Sequence, residues 1–303
     1  MASPLQSVSK RIGSAATKGI IAMKSSANIP TRDVPTAALL PFTLITFAIS
    51  WGILGLYIFL PDQATGWFGD ITGKHPAFVL AVWAPAFAAF AVVLYFGGMQ
   101  GARAFLSRLG LWRCPAGWVL FLLLGIPLVF AAGAAVKGSL LSSPLPFDTL
   151  VAALGAMLFM LFLGPVEEFG WRGVALPILQ RHMAPLWAGL IIGATWGLWH
   201  LPAFYLSGVM QSGWGFAPFF VGNVCLSVIV TPLFNASRGS ILWPALFHFQ
   251  VNNPLWPDAQ PYDTWFFVGV TELVVWINRR AMLTRDGAVT EVFAPHPGAR
   301  SSP

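Results

Sequence analysis

The apolar positions of this chain form long, unbroken runs, and the short segments between them hold most of the charged residues. A helix needs roughly 20 apolar residues to cross a bilayer. The runs predict eight such spans, at about 37–60, 77–97, 117–136, 148–164, 186–206, 216–235, 241–255 and 263–278. Runs this long lack the alternation of a membrane barrel. The predicted fold class is therefore all-α: a polytopic membrane protein with about eight transmembrane helices around a polar intramembrane cavity.

The composition agrees with this prediction. Of the 303 residues, 56% are hydrophobic and only 9% are charged, whereas about a quarter of a soluble domain is charged. Only Lys74 and Lys137 of the 17 basic residues fall in the odd-numbered loops. Because cytoplasmic loops are enriched in Lys and Arg, we expect a cell-membrane protein with both termini in the cytoplasm. The expected organisation is a disordered arm (1–36), a helical membrane domain (37–280, with its motif core at 148–255) and a cytoplasmic tail (281–303).

The net charge of +6 is a candidate sign of a nucleic-acid partner. The basic residues, however, are distributed among the predicted loops and are not clustered with aromatic residues. We interpret them as topology determinants beside anionic lipid headgroups. The predicted partner is thus the lipid bilayer, and no nucleic acid is expected.

An acidic pair follows the fourth predicted span, in the sequence Glu-Glu-Phe-Gly-Trp-Arg at 167–172. On a helix Glu168 and Arg172 share a face, with the acid first, which is the favoured order for an ion pair. Glu167 then points about 100° away and is free to accept a proton from water. Pro165 and Gly170 indicate a distorted helix here. The alternative is a helix end that carries solvated charges.

Three further polar residues lie in apolar surroundings. His200 is expected deep in its predicted helix, next to Pro202, where an ionisable group needs a cavity or a partner. His248 and Asn252 are four apart and share a helix face, so they could donate hydrogen bonds to an oxyanion. His248 could instead join His200 in binding a metal or orienting water. The plainer alternatives are a core histidine and a pair of interhelical hydrogen bonds.

These groups together indicate hydrolysis, with a peptide bond as the expected substrate. The order Glu-Glu-x-x-x-Arg, then x-x-x-His, then His-x-x-x-Asn resembles the CPBP intramembrane endopeptidases, the family of the type II CAAX prenyl proteases, also called Abi proteins. The resemblance covers roughly 148–255. The second motif usually reads Phe-x-x-x-His in that family, whereas Trp196 takes the aromatic position here. An indole still fills an apolar wall, so this difference bears on substrate shape.

The resemblance implies a role for each residue. Glu167 would activate the hydrolytic water, His200 would help to position it, and His248 and Asn252 would stabilise the oxyanion. Glu168 and Arg172 would form a supporting ion pair. The implied substrate is a membrane-associated peptide or protein, prenylated on a CAAX-like tail or not, cleaved near its C-terminus.

The cofactor stays open at this point. The family is labelled a metalloprotease, and Glu167, His200 and His248 could complete a zinc site with water as the fourth ligand. A glutamate-activated water without a metal is the other reading.

Two other functions stay open as well. The first is a catalytically silent membrane partner, such as an immunity or regulatory protein. The second is a small transporter, which Glu272 in the last predicted span favours because intramembrane carboxylates often serve proton paths. Transporters often show halves of matching hydropathy, and the sequence has no such symmetry.

Overall fold

The computed structural model describes residues 33–141 and 147–293, and within those ranges it contains helices and no strand. Between α5 and α6 the chain continues through a π-helical turn, Phe121–Gly125. Numbered in chain order, the α-helices are α1 (Leu39–Phe59), α2 (Pro61–Phe68), α3 (Pro76–Val82), α4 (Ala84–Ser107), α5 (Ala116–Leu120), α6 (Ile126–Lys137), α7 (Leu150–Leu163), α8 (Glu168–Gly170), α9 (Leu176–Gln180), α10 (Pro185–Trp199), α11 (Phe216–Ala236), α12 (Leu242–Val251), α13 (Tyr262–Ile277) and α14 (Arg279–Leu283).

Five described segments are long and apolar enough to cross a membrane. This confirms the all-α polytopic membrane fold. Three of the expected spans correspond to α10, α12 and α13, which have only 15, 10 and 16 residues. The count of eight therefore stays a prediction. The five segments are Thr36–Phe59, Ala84–Gly110, Ala116–Lys137, Leu150–Gln180 and Phe216–Ala236.

The expected bounds of the second span, 77–97, are wrong. Two helices meet at Trp83, because Pro85 stands in the first turn of α4, where its missing N–H is tolerated and its ring starts a new helix. Helix α4 then continues to Ser107, past a non-helical residue at Gly98 with φ of 56°. Glycine tolerates this conformation because it has no Cβ.

Helices α10 and α11 pack closely, and this contact holds part of the candidate site. Gly189, Gly193 and Gly197 recur on one face of α10. A Cβ added at Gly193 would lie 2.7 Å from the Cα of Val224, and one added at Gly197 would lie 2.7 Å from the ring of Phe220. Small residues let membrane helices approach in this way. The close approach fixes the C-terminal end of α10, from Trp196 to His200.

A fully buried arginine, Arg108, joins three distant parts of the chain. Its guanidinium donates to the backbone oxygens of Gly239 (2.7 Å), Gly173 (2.8 Å) and Val292 (2.9 Å). We call Arg108 and these three carbonyls the arginine clamp. The sequence interpretation of Arg108 as a loop residue beside lipid headgroups is wrong, because its side chain is 0% exposed.

The two ends of the described chain lie against each other. Asp33 accepts hydrogen bonds from the backbone N–H groups of Val292 (3.0 Å) and Phe293 (3.2 Å) and forms an ion pair with Arg181. Val34, Val292 and Phe293 are all buried in the main apolar cluster. Residues 33–34 and 288–293 are therefore packed parts of the fold, contrary to the disorder expected of the arm. Residues 1–32 and 294–303, where the rest of both expectations falls, lie outside the described residues.

Candidate active site

The acidic pair lies in a succession of unlike turns. A 3-10 turn (Pro165–Glu167) leads into α8, and a π-helical turn (Trp171–Ala175) follows before α9. The expected distortion is present. Gly170 allows it, because a Cβ there would lie 2.6 Å from the backbone oxygen of Pro85. These turns direct both carboxylates inward, so that Glu167 is 3% exposed and Glu168 is 1% exposed. The alternative of solvated charges is wrong.

Glu168 is held by two basic side chains. Its Oε1 accepts from Nη1 of Arg172 at 3.0 Å and from Nδ1 of His248 at 2.8 Å. All three side chains are buried. The four-residue spacing therefore gives the Glu168 and Arg172 ion pair, as expected. The contact with His248 crosses 80 residues of sequence and was not foreseen.

Glu167 is held by two tryptophans through a single oxygen. Its Oε2 accepts from Nε1 of Trp196 at 2.7 Å and from Nε1 of Trp171 at 3.3 Å. Its Oε1 accepts no hydrogen bond from the described residues. A buried carboxylate with one oxygen fixed and the other available can take a proton from a molecule placed beside it.

His200 does not lie deep in a helix, and this expectation is wrong. It directly follows the last residue of α10 and precedes a 3-10 turn, Leu201–Tyr205. Pro202 has no N–H and cannot continue the α-helix. The half-buried His200 donates from Nδ1 to the backbone oxygen of Trp196 at 2.8 Å. Since Nδ1 carries the hydrogen, Nε2 of the neutral imidazole carries a lone pair.

Two side-chain nitrogens converge on Gly164, the residue that follows α7. A Cβ added there would lie 2.6 Å from Nδ2 of Asn252 and 2.8 Å from Nε2 of His248. His248 is near the end of α12, and Asn252 directly follows it. His248 and Asn252 thus direct these nitrogens at residue 164, where any side chain larger than that of glycine would meet them. Sequence reasoning missed Gly164, although a Gly-Pro pair directly before two glutamates is a signal that could have found it.

Trp196 lies between the other groups of the site. Its ring is 5.3 Å from that of His248 and 5.6 Å from that of His200, and the guanidinium of Arg172 lies 5.1 Å from its ring centre. Sequence reasoning gave this residue only the role of an apolar wall. In the structure it contacts side chains from all three motifs.

The three candidate zinc ligands, Glu167, His200 and His248, all lie near Trp196. Across 33–141 and 147–293, no three His, Cys, Asp or Glu side chains are placed to hold one metal ion. Nδ1 of each histidine is already occupied, in His200 by a carbonyl and in His248 by Glu168. Each ring keeps Nε2 available, and a hydrogen bond from Nδ1 to a carbonyl or a carboxylate is usual for metal-bound histidines. A zinc site of Glu167, His200 and His248 therefore stays a prediction.

Glu272 is separate from this cluster. It lies on the exposed surface of α13 and forms no hydrogen bond or ion pair with the described residues. The feature that favoured a transporter is thus not connected to the buried polar site.

Comparison with known proteins agrees with the motif reading. Residues 149–253 match the family model of type II CAAX prenyl endopeptidases, described as Rce1-like. All six residues singled out from the three motifs fall inside this segment. The chain is also 31% identical, over 145 residues, to CAAX prenyl protease 2 of Methanococcus maripaludis. Residues 149–253 are therefore similar to the family predicted from the motifs.

The matched regions leave much of both chains uncovered. The alignment takes in 46% of this chain and 51% of the archaeal protein. The chain therefore spans about half the length of the curated relative it matches. The segment that matches the family model, 149–253, carries the candidate active site.

Proposed function

We propose, on the premise of the family match over residues 149–253, that this protein is an intramembrane endopeptidase. It hydrolyses a peptide bond near the C-terminus of a membrane-associated peptide or protein. The reaction uses a water activated by Glu167 and an oxyanion site formed by His248 and Asn252.

The observation that carries this proposal is the set of side-chain atoms left without a protein partner in a buried site. Oε1 of Glu167 is a proton acceptor, and Nε2 of His200 is a hydrogen-bond acceptor for water. Nε2 of His248 and Nδ2 of Asn252 point together at the space beside Gly164. A core built only for stability leaves few buried polar groups unpaired. Other buried atoms without a partner lie elsewhere in the described residues, but these four lie together around the acidic pair and are of the kinds that hydrolysis needs.

The chemistry follows from these atoms. Glu167 takes a proton from water at Oε1, while Nε2 of His200 accepts the other water hydrogen and orients the oxygen. The water oxygen bonds to the carbonyl carbon of the substrate, whose oxygen gains negative charge beside Gly164. Asn252 donates to this oxyanion from Nδ2, and His248 donates from Nε2 in its protonated form. The C–N bond then breaks, and the departing nitrogen takes the proton from Glu167.

Glu168 and Arg172 support this arrangement without touching the substrate. Glu168 accepts from Nδ1 of His248, which sets the orientation of the ring so that Nε2 points at Gly164. Arg172 balances the charge of Glu168 at 3.0 Å. A carboxylate that orients a histidine ring is a common supporting device in hydrolytic sites.

The proposed substrate is a CAAX-like tail, prenylated or not. Its chemistry is taken from the name of the archaeal relative, CAAX prenyl protease 2, and from the apolar surroundings of the site. The proposed location is the cell membrane, with both termini in the cytoplasm, as the distribution of basic residues indicates.

The test is peptide cleavage by the detergent-purified protein. Fluorogenic peptides, prenylated and unmodified, are offered to the wild type and to Glu167→Gln, which keeps the shape of the side chain but cannot take the proton. We expect kcat to fall by about 10²–10⁴ fold, the usual contribution of a general base. Each assay is repeated with a zinc chelator to measure metal dependence.

Glu272→Gln is the matched control, because it makes the same chemical change on an exposed carboxylate outside the site. It should cleave like the wild type. Full activity in Glu167→Gln would refute the assigned base. A folded wild type that cleaves no peptide of the panel would favour the catalytically silent partner.

A further inference from the structure

The side chain of Trp196 makes the shortest hydrogen bond to Glu167. Its Nε1 lies 2.7 Å from Oε2, against 3.3 Å for Nε1 of Trp171, and both donors use the same oxygen. The indole is 4% exposed, so water does not compete for this bond. The family pattern has phenylalanine at this position, and phenylalanine has no N–H to donate.

The ring of Trp196 is itself fixed on several sides. The guanidinium of Arg172 lies over it at 5.1 Å, and the ring of His248 meets it at 5.3 Å. Its backbone oxygen accepts from His200 at 2.8 Å. A donor held this firmly can define the direction of the carboxylate that it binds.

We propose that Trp196 is the positioning residue for the general base. Its indole N–H holds Oε2 of Glu167 towards the core, so that Oε1 faces the place where water is activated. The inference rests on the proposed function, because it assigns the base role to Glu167. Trp196 does not act on the substrate in this scheme; it acts through Glu167.

The hydrogen bond from Trp196 also favours the ionised form of Glu167. An N–H donated to a carboxylate stabilises its ionised form, and only that form can take a proton from water. A neutral donor suits this purpose, since a cation at the same place would form an ion pair and compete with the substrate for Glu167. The two indoles thus hold the base without neutralising it.

Trp199 offers a matched control. It lies on the same helix, is 3% exposed, and its Nε1 has no hydrogen-bond partner among the described residues. Its ring also packs against His200 at 4.8 Å. Trp199→Phe therefore makes the same loss of ring volume beside the site, but it removes no hydrogen bond to Glu167.

The experiment compares Trp196→Phe and Trp199→Phe in the cleavage assay. Hydrogen bonds to charged groups contribute enough to give about a tenfold or larger loss of rate. We expect kcat of Trp196→Phe to fall by about that factor with KM within about twofold of the wild type. Trp199→Phe should stay within about twofold in both constants. Equal kcat losses in the two variants would overturn the inference.

A second variant covers the case in which Trp196→Phe does not fold. Replacement of Trp196 by 3-benzothienylalanine keeps the two fused rings and exchanges the N–H for sulfur. It should lose kcat as Trp196→Phe does. A wild-type kcat in this variant would mean that the ring, and not its N–H, matters.

A readout that needs no turnover separates this inference from the proposed function. Thermal unfolding midpoints are measured for Trp196→Phe, Glu167→Leu and the double variant. If Trp196 and Glu167 are joined by a hydrogen bond, the midpoint shift of the double variant should differ from the sum of the two single shifts. A double shift equal to that sum would overturn the inference even in a protein that cleaves nothing. A protein that is active with Glu167→Gln would refute the proposed function and leave the measured coupling intact.

Discussion

Among the residues that the structure describes, Arg108 and Arg172 are both fully buried, and they differ in what they bind. Arg108 donates to three backbone oxygens from three distant segments. Arg172 donates to one side-chain carboxylate four residues before it and lies over the ring of Trp196. Both are at most 1% exposed. Burial alone therefore does not separate a structural arginine from one in a candidate active site.

The difference lies in the groups around each arginine. The arginine clamp joins Arg108 to carbonyls, which do not titrate and do not move independently of the backbone. Arg172 belongs to a set of side chains that still carries free reactive atoms, on Glu167, His200, His248 and Asn252. We therefore expect changes at the clamp to lower stability and changes near Arg172 to lower activity.

Of the substitutions that test this comparison, Gly164→Ala should have the largest effect. The new Cβ would occupy the space at 2.6 Å from Nδ2 of Asn252 and 2.8 Å from Nε2 of His248. The loss of oxyanion donors should lower kcat by about 10²–10³ fold, with a small change in the unfolding midpoint. Gly155→Ala is the control, because Gly155 lies on α7, the helix that precedes Gly164, and its Cβ would meet nothing within 4 Å. A Gly164→Ala enzyme as active as the control would remove the assigned oxyanion site.

Arg108→Lys should chiefly lower stability. An ammonium group cannot reproduce the planar fork that reaches three carbonyls, and unpaired buried groups cost about 1–3 kcal/mol each. We expect a loss of about 2–3 kcal/mol in the free energy of unfolding, measured by denaturation in detergent. The kcat per folded molecule should change less than about threefold. Unchanged stability would contradict the clamp.

Arg172→Lys makes the same substitution in the other region. The charge opposite Glu168 remains, but the planar contact with Trp196 is lost, which is worth about 0.5–2 kcal/mol. We expect kcat to fall by about tenfold, with a smaller loss of stability than in Arg108→Lys. The comparison between the two arginines fails if both variants lose stability and activity in the same proportion.

The smallest effect is expected from Ser227→Ala. Oγ of Ser227 donates to the backbone oxygen of Gly189 at 2.8 Å, between α11 and α10. Hydrogen bonds between membrane helices average about 0.6 kcal/mol, so the unfolding free energy should fall by about that amount while kcat stays unchanged. Ser207→Ala, at an exposed serine whose hydroxyl forms no hydrogen bond with the described residues, provides the baseline. A loss of activity in Ser227→Ala would extend the active region to this helix contact.

Local patterns predicted the parts of the site that depend on one helix. The spacing of Glu168 and Arg172 gave their ion pair, and the spacing of His248 and Asn252 gave their common direction towards Gly164. Long apolar runs gave the polytopic helical fold. Each of these features is set by the period of a helix and by the need to satisfy backbone groups in lipid.

Features that join distant segments were missed. The contacts of Glu168 with His248 and of Glu167 with Trp196 cross 80 and 29 residues, and no periodicity reports them. Arg108 looked like any other loop arginine, because its three acceptors are backbone oxygens that leave no mark in the sequence. The end of α10 before His200 could have been placed from Pro202, whose ring stops an α-helix.

The arginine clamp also constrains the order in which contacts can form while the chain is being synthesised. Arg108 meets Val292 across 184 residues of chain, and Asp33 meets Phe293 across 260. On the ribosome, both early residues are made long before their partners. The backbone of Gly173, one turn beyond the glutamates, shares the guanidinium with Val292. The newborn protein can thus insert its apolar helices first, and the arginine clamp is complete only when Val292 has been translated.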